Sequence, residues 1–186
     1  MDLLMSLAIP IVVSAAAVWV YSALAWMVMG HHAGDMVGAP DEDALIAAIR
    51  GLGLKPDTYS FPHPKSKADC KDPKFMEKWK TGPSGTLNVW GPMSMGRNMA
   101  LSFVVYLLVS LFVGYIGAVT IDRGAAFSHV LRVLGTAGLL GYVFGALPNA
   151  IWFQAKGRAV VTCAFDGVVQ GLITGVVFAA MWPAAA

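Results

Sequence analysis

Charge is what this sequence has least of. Of its 186 residues only 13% are Asp, Glu, Lys or Arg, where a soluble domain carries about 25%. Hydrophobic residues make up 57% and the mean hydropathy is +0.64. Those values exclude a disordered chain, a collagen-like chain and an ordinary soluble enzyme. Cysteine is scarce as well. Cys70 and Cys163 make no disulfide framework and no paired Cys-x-x-Cys metal motif. The net charge of +2 gives no basic footprint for nucleic acid. There is no P-loop, no GxGxxG, no HExxH and no compelling Ser–His–Asp order. What remains is the composition of an integral membrane protein.

A bilayer core needs roughly 20 mainly apolar residues per spanning helix. Four segments meet this: Leu3–Met29, Met99–Ile121, Ser128–Trp152 and Ala159–Trp182. The first lacks the basic start of a signal peptide and is long enough to span, so it reads as a retained helix. The links at 123–127 and 153–158 are short, which makes successive helices antiparallel neighbours. The expected fold is therefore an all-α membrane protein. It has transmembrane helix 1 in residues 1–29, an extramembrane α+β lobe in 30–98, and transmembrane helices 2–4 in 99–186.

The lobe holds nine of the thirteen Lys and Arg and eight of the eleven acids. Pro40-Asp41-Glu42-Asp43 is a helix start, with acids facing the positive end of the helix dipole. Leu45, Ile46, Ile49 and Leu52 follow on one face, and Gly51 and Gly53 end the helix. Asp72-Pro73 caps a second helix whose apolar face is Phe75, Met76 and Trp79. Thr58–Phe61 and Thr86–Trp90 read as short strands that pair, with a turn at Thr81–Gly85. So small a lobe cannot bury much core alone, and it is expected to rest on the membrane helices.

Association of helices in lipid relies on close backbone approach. Gly167, Gly171 and Gly175 recur every four residues in the fourth segment, Gly135, Gly138, Gly141 and Gly145 form a ridge on the third, and the second has Gly114 and Gly117. The spacing means a tight interface: between helices three and four, between two copies, or against a partner's helix. Arg97, Lys156 and Arg158 on the lobe side balance Arg123 and Arg132 on the other, so the positive-inside rule leaves orientation open.

Two groups of residues carry candidate chemistry. His31, His32 and Asp35 follow the first helix, and His with carboxylate at this spacing suits zinc or another transition metal. His63 or Cys70 would complete such a site from the lobe. The competing reading is a pair of interfacial histidines with Asp35 capping the helix end. Asp166 lies inside an apolar helix, where a carboxylate is costly and faces the bundle or a cavity. Gln170 follows it by a turn. Asn149, beside Pro148, ends the antiparallel third helix at similar depth, so an Asn149–Asp166 contact is expected, with Trp152 and Gln154 near it. That contact is either a register-fixing hydrogen bond or a proton or ligand site. His129 and Arg132 read as headgroup anchors, and Trp26, Trp152 and Trp182 as an aromatic belt. The scattered methionines, Met93 and Met95 included, form no copper box. Cys163 reads as inert packing.

Several short motifs occur in a recognisable order. They are Trp26 near the end of helix one, Pro40-Asp41-Glu42-Asp43-Ala44, Tyr59-Ser60-Phe61-Pro62, Gly82-Pro83-Ser84-Gly85, Leu147-Pro148-Asn149-Ala150-Ile151-Trp152-Phe153, and Asp166. In this order the chain resembles a family of small bacterial four-helix inner-membrane proteins with no known activity. The resemblance implies a multi-pass protein of the bacterial cytoplasmic membrane, and it brings no chemistry. Its members carry the lobe outside that membrane and often start with Lys or Arg, which this chain does not.

Three functions follow. The first is a non-catalytic accessory or scaffold subunit that docks on other membrane helices, in a hetero-complex or homo-oligomer, and needs no cofactor. The second is a small proton- or ligand-binding transporter using Asp166 and Asn149. The third is a metal-dependent membrane enzyme centred on His31, His32 and Asp35. The sequence favours the first, with the lipid bilayer and membrane helices as partners and no nucleic acid.

Overall fold

A computed structural model describes residues 2–185. In chain order its elements are α1 (Asp2–Ser6), α2 (Ala8–Met27), α3 (Glu42–Gly51), β1 (Asp57–Phe61), α4 (Pro73–Thr81), β2 (Gly85–Val89), α5 (Met95–Thr120), α6 (Phe127–Leu139), α7 (Leu147–Trp152) and α8 (Gly157–Ala180). A single 3₁₀ turn spans Asp69–Lys71 and a π-helical turn spans Leu140–Phe144. Four stretches are long and apolar enough to cross a membrane: α2, α5, the run Phe127–Trp152, and α8. That is the architecture of a multi-pass membrane protein, here with a small two-stranded sheet.

Two of the expected segments are not continuous helices. The first breaks at Leu7 and restarts with Pro10 in the first turn of α2, where a missing N–H costs nothing. The third passes from α6 through the π turn to α7, which opens with Pro148 near its start. Proline cannot donate to the preceding turn, so the backbone there departs from α geometry.

The chain separates into two units, one of residues up to Val37 together with Met95 onward, the other Gly38–Ser94. The polar insert thus begins later than composition alone suggests, because residues 30–37 belong with the helices. In the helical unit α6 lies along α8, and α2 touches both α5 and α8. The α6–α8 seam is made of glycine. A Cβ on Gly175 would sit 2.7 Å from Gly135 Cα, and one on Gly171 would sit 2.7 Å from the Leu139 amide nitrogen. One on Gly167 would sit 3.0 Å from the Tyr142 carbonyl oxygen. The sequence positions fall on one helix as they rise on the other, so the pair is antiparallel. Gly114 and Gly117 serve the same end against Ile11, Phe178, Leu134 and Trp182. Gly138 faces Gly171, whereas Gly141 meets Val109 of α5 and Gly145 meets only its own helix. The apolar core is Leu7, Ile11, Val113, Ile121, Val130, Leu134, Phe178 and Ala179.

In the second unit Asp41 caps α3 by accepting from the Ala44 amide at 2.9 Å, and Asp72 caps α4 by accepting from Lys74 at 2.9 Å. Gly53 turns the chain out of α3 with φ +63°. β1 and β2 pair antiparallel, with Tyr59 opposite Leu87. None of its residues is buried. The apolar face of α3 is open, with Leu45 and Ile46 both 44% exposed.

Candidate metal site at one end of the bundle

The chain leaves α2 at Met27 and reverses at Gly30, whose φ of +69° is a backbone conformation that favours glycine. Two tight turns follow, with the Ala33 amide on the Gly30 carbonyl and the Asp35 amide on the His32 carbonyl. They fold residues 31–35 back against α8, and His32 and Asp35 end up 7% and 8% exposed. Irregular backbone at this position is tolerable because protein covers it. Cations that open α8 hold the loop from outside. Lys156 Nζ donates to the Gly34 carbonyl at 2.7 Å and Arg158 Nη2 to the His31 carbonyl at 3.1 Å. A Cβ on Gly34 would lie 2.6 Å from Arg158 Nε, so glycine leaves the guanidinium room to cross.

Asp166 is the centre of the cluster. It lies nine residues beyond Gly157, about 14 Å along the helix axis. Its side chain is 7% exposed. Oδ1 is 2.9 Å from His31 Nε2 and accepts from the Tyr21 hydroxyl at 2.9 Å, while Oδ2 is 2.7 Å from His32 Nε2. His32 is held at both nitrogens, since Nδ1 lies 2.6 Å from Asp35 Oδ2. The same Asp35 oxygen accepts from the Thr162 hydroxyl at 2.6 Å, and Arg158 Nε stands 3.5 Å from Asp35 Oδ1. The indole of Trp26 stacks on the His32 ring at 3.8 Å between centroids and 5° between planes.

These contacts set the charges. Burial pulls the His32 pKa down, but its bonds to the Asp166 and Asp35 carboxylates outweigh that and leave it raised. Asp35 is held below the usual carboxylate range by the Thr162 hydroxyl and then by His32, with Arg158 adding to both against the opposing effect of burial. His32 in its protonated form therefore bridges two carboxylates.

The same atoms suit a metal ion. One ligand atom each from His31, His32 and Asp166 all lie within 4.8 Å of one another. Two imidazoles and a carboxylate are the donor set of zinc and non-haem iron sites. Three protein ligands leave a coordination position for water or substrate, the arrangement that lets a metal polarise a carbonyl or lower the pKa of water. Asp35 on His32 Nδ1 is the outer partner that fixes the tautomer of a ligating histidine. His31 Nδ1 is buried and has no hydrogen-bond partner.

The structure therefore joins residues that the sequence separates into two sites. His31, His32 and Asp166 converge, and Asp35 stands behind His32 instead of beside His31 as a ligand. Asn149 does not meet Asp166. It is exposed, and Asp166 takes its hydrogen bonds from Tyr21, His31 and His32. The reason is the break after α6, which ends the helix in a separate short segment. Trp152 is 84% exposed and Gln154 lies in the turn after it, with φ 50°. His63 and Cys70 belong to the other unit, where His63 bonds Ser60 Oγ at 2.8 Å and Cys70 is exposed. Cys163 is exposed rather than packed.

Tyr21, Thr162 and Trp26 were not apparent as members of the site. One signal for Thr162 was available: it lies four residues before Asp166 on one helical face. Comparison with protein-family models, with curated proteins and with solved structures finds no match for this chain.

Proposed function

We propose that this protein binds a divalent transition-metal ion, zinc or iron(II) by donor type, in a bacterial cytoplasmic membrane. His31, His32 and Asp166 are the ligands, and Asp35 orients His32. The observation that carries the reading is the double engagement of His32: a carboxylate on Nδ1 at 2.6 Å and the shared Asp166 carboxylate on Nε2 at 2.7 Å. With Asp35 holding the Nδ1 proton, a metal that displaces the proton on Nε2 meets one tautomer in one orientation. The membrane assignment rests on four apolar helices, and its bacterial identity on the resemblance described above.

The accessory-subunit reading drew on glycine ridges, on few intramembrane ionisable groups and on the lack of a catalytic motif; the glycines no longer speak for it. Gly135, Gly138, Gly167, Gly171 and Gly175 lie inside the α6–α8 seam, so they offer no surface to a partner helix. The transporter reading loses its Asn149 contact, and Asp166 serves the metal site instead.

Elemental analysis of the full-length protein tests the proposal. The protein is purified in mild detergent, loaded with zinc, iron(II) or cobalt(II), and dialysed. Stoichiometric metal is expected in the unsubstituted protein and in His63→Ala, and it should be lost in His32→Ala and Asp166→Asn. If no metal is retained under any loading, the cluster is a structural hydrogen-bond network that pins the 28–37 loop to α8, and the proposal is wrong.

A further inference from the structure

The unit of residues 38–94 keeps its apolar side chains on its own surface. On α4, Phe75, Met76 and Trp79 share one face and, with Pro62, Pro64 and Cys70, line a groove of about 400 Å³. The Phe75 and Trp79 rings stack at 6.3 Å between centroids and 29° between planes. Trp79 is nonetheless 53% exposed, and Met76 and Phe61 are exposed too. The apolar surface continues past Pro62 into a second hollow, lined by Phe61, Pro83 and Lys78.

Charge is arranged around this face. The stretch 65–80 carries six lysines against three acids. Two of the acids are taken up by the backbone. Asp69 accepts from the Lys65 and Ser66 amides at 2.7 and 3.1 Å, and Asp72 from the Lys74 amide at 2.9 Å. Among the described residues, none of the six ammonium groups has a carboxylate within ion-pairing distance. Along α4, Lys78 and Lys80 stand about 100° to either side of the middle of the apolar face, and the third acid, Glu77, lies behind it. A helix with hydrocarbon in front, cations at both margins and its acid at the back suits a layer of anionic headgroups. There the lysine stems cover acyl chain while the ammonium groups reach phosphate. A second copy of the chain would set lysine against lysine, which like-charge repulsion disfavours.

We propose that the groove face of α4 docks on the surface of the membrane that the chain spans, through acidic phospholipid headgroups. Phe75, Met76 and Trp79 enter the boundary between headgroups and acyl chains, and Lys78 and Lys80 take lipid phosphates. The chain enters this unit after α2 and leaves it into α5, both membrane spans. Tethered at both ends, it meets the bilayer at high effective concentration, so a contact too weak to recruit a free protein is enough here. The inference is independent of the metal site.

The thiol of Cys70, which is exposed and lines the groove, tests this. Full-length protein is placed in nanodiscs of phosphatidylcholine alone or of phosphatidylcholine with phosphatidylglycerol. Alkylation by iodoacetamide is followed by peptide mass spectrometry, which separates Cys70 from Cys163. Cys70 should react several-fold more slowly in the acidic bilayer. Glu77→Cys in a Cys70→Ser background reports the surface potential without cover, and position 77 should react at similar rates in both. Lys78→Gln with Lys80→Gln should return Cys70 in the acidic bilayer to its phosphatidylcholine rate. Equal Cys70 rates in the two bilayers overturn the proposal: fast in both leaves the groove uncovered, and slow in both means that protein covers it. A slowing at position 77 as large as that at Cys70 overturns it as well, since surface potential alone then accounts for both. A slowing of Cys70 that survives the two glutamines overturns the pairing of Lys78 and Lys80 with lipid.

Discussion

His32 does nothing alone. Its ring plane is set by Trp26, its Nδ1 by Asp35, and its Nε2 meets Asp166. For a metal to sit on Nε2 the proton must stay on Nδ1, and Asp35 is the group that keeps it there. Asp35→Asn preserves the shape and removes the charge. It is expected to weaken zinc binding by about 10–100-fold, read by competition against a chelating dye, while Asp166→Asn abolishes binding. Equal affinities for Asp35→Asn and the unsubstituted protein would show that Asp35 merely anchors the loop through Thr162. At this scale the sequence was half legible. An acid in an apolar helix and a His–His–Asp group each stand out by type. Their union does not, because it depends on a chain reversal at Gly30 and on the register of α2 against α8, and neither leaves a periodic mark. Thr162 is hidden for another reason: a hydroxyl barely lowers the hydropathy of a long apolar run.

Whole elements were easier to read. The spans follow from length and composition, and the caps at Asp41 and Asp72 follow from side chains that satisfy orphan amides. The two strands pair as their alternation suggests. The π turn at Leu140–Phe144 has no such signature, since its residues are those of any membrane helix. The apolar face of α3 also shows that periodicity marks amphipathic character and not burial. The glycine seam was legible in its spacing, though not in its partner. Its contacts now make a sharp expectation. A methyl on Gly171 would meet the backbone of Leu139 at 2.7 Å, which no side-chain rotation relieves. Gly171→Ala should destabilise the protein by about 1–3 kcal/mol, seen as a lower Tm in detergent. Gly96→Ala, with nothing within 4 Å of the added atom, should leave Tm unchanged. If the seam instead joined two copies, Gly171→Ala would change the oligomeric state and leave the monomer's Tm alone.

Across the helical unit, the buried ionisable groups lie toward one end, while Asp122, Arg123, His129 and Arg132 stand at the other. The 28–37 loop, Lys156, Arg158 and the His31–His32–Asp166 cluster gather in the first turns of α8. Toward the opposite end stand Phe178, Leu134 and Leu7, with Trp182 donating to the Asp122 carbonyl at 3.0 Å. No more than 33% of any span's apolar window is buried within the chain, which leaves most of each span's surface for lipid or other membrane helices to cover. A metal at His31, His32 and Asp166 should therefore exchange with one side of the membrane only. Zinc-loaded protein is reconstituted into vesicles with a cysteine at position 156 in a Cys70→Ser, Cys163→Ser background. An impermeant maleimide sorts the molecules by which end faces outward. An impermeant chelator added outside should strip zinc from the labelled population and spare the unlabelled one until the vesicles are opened with detergent. Equal stripping of both populations would mean that the apolar end does not seal, and the one-sided architecture inferred from Phe178 and its neighbours would have to be abandoned.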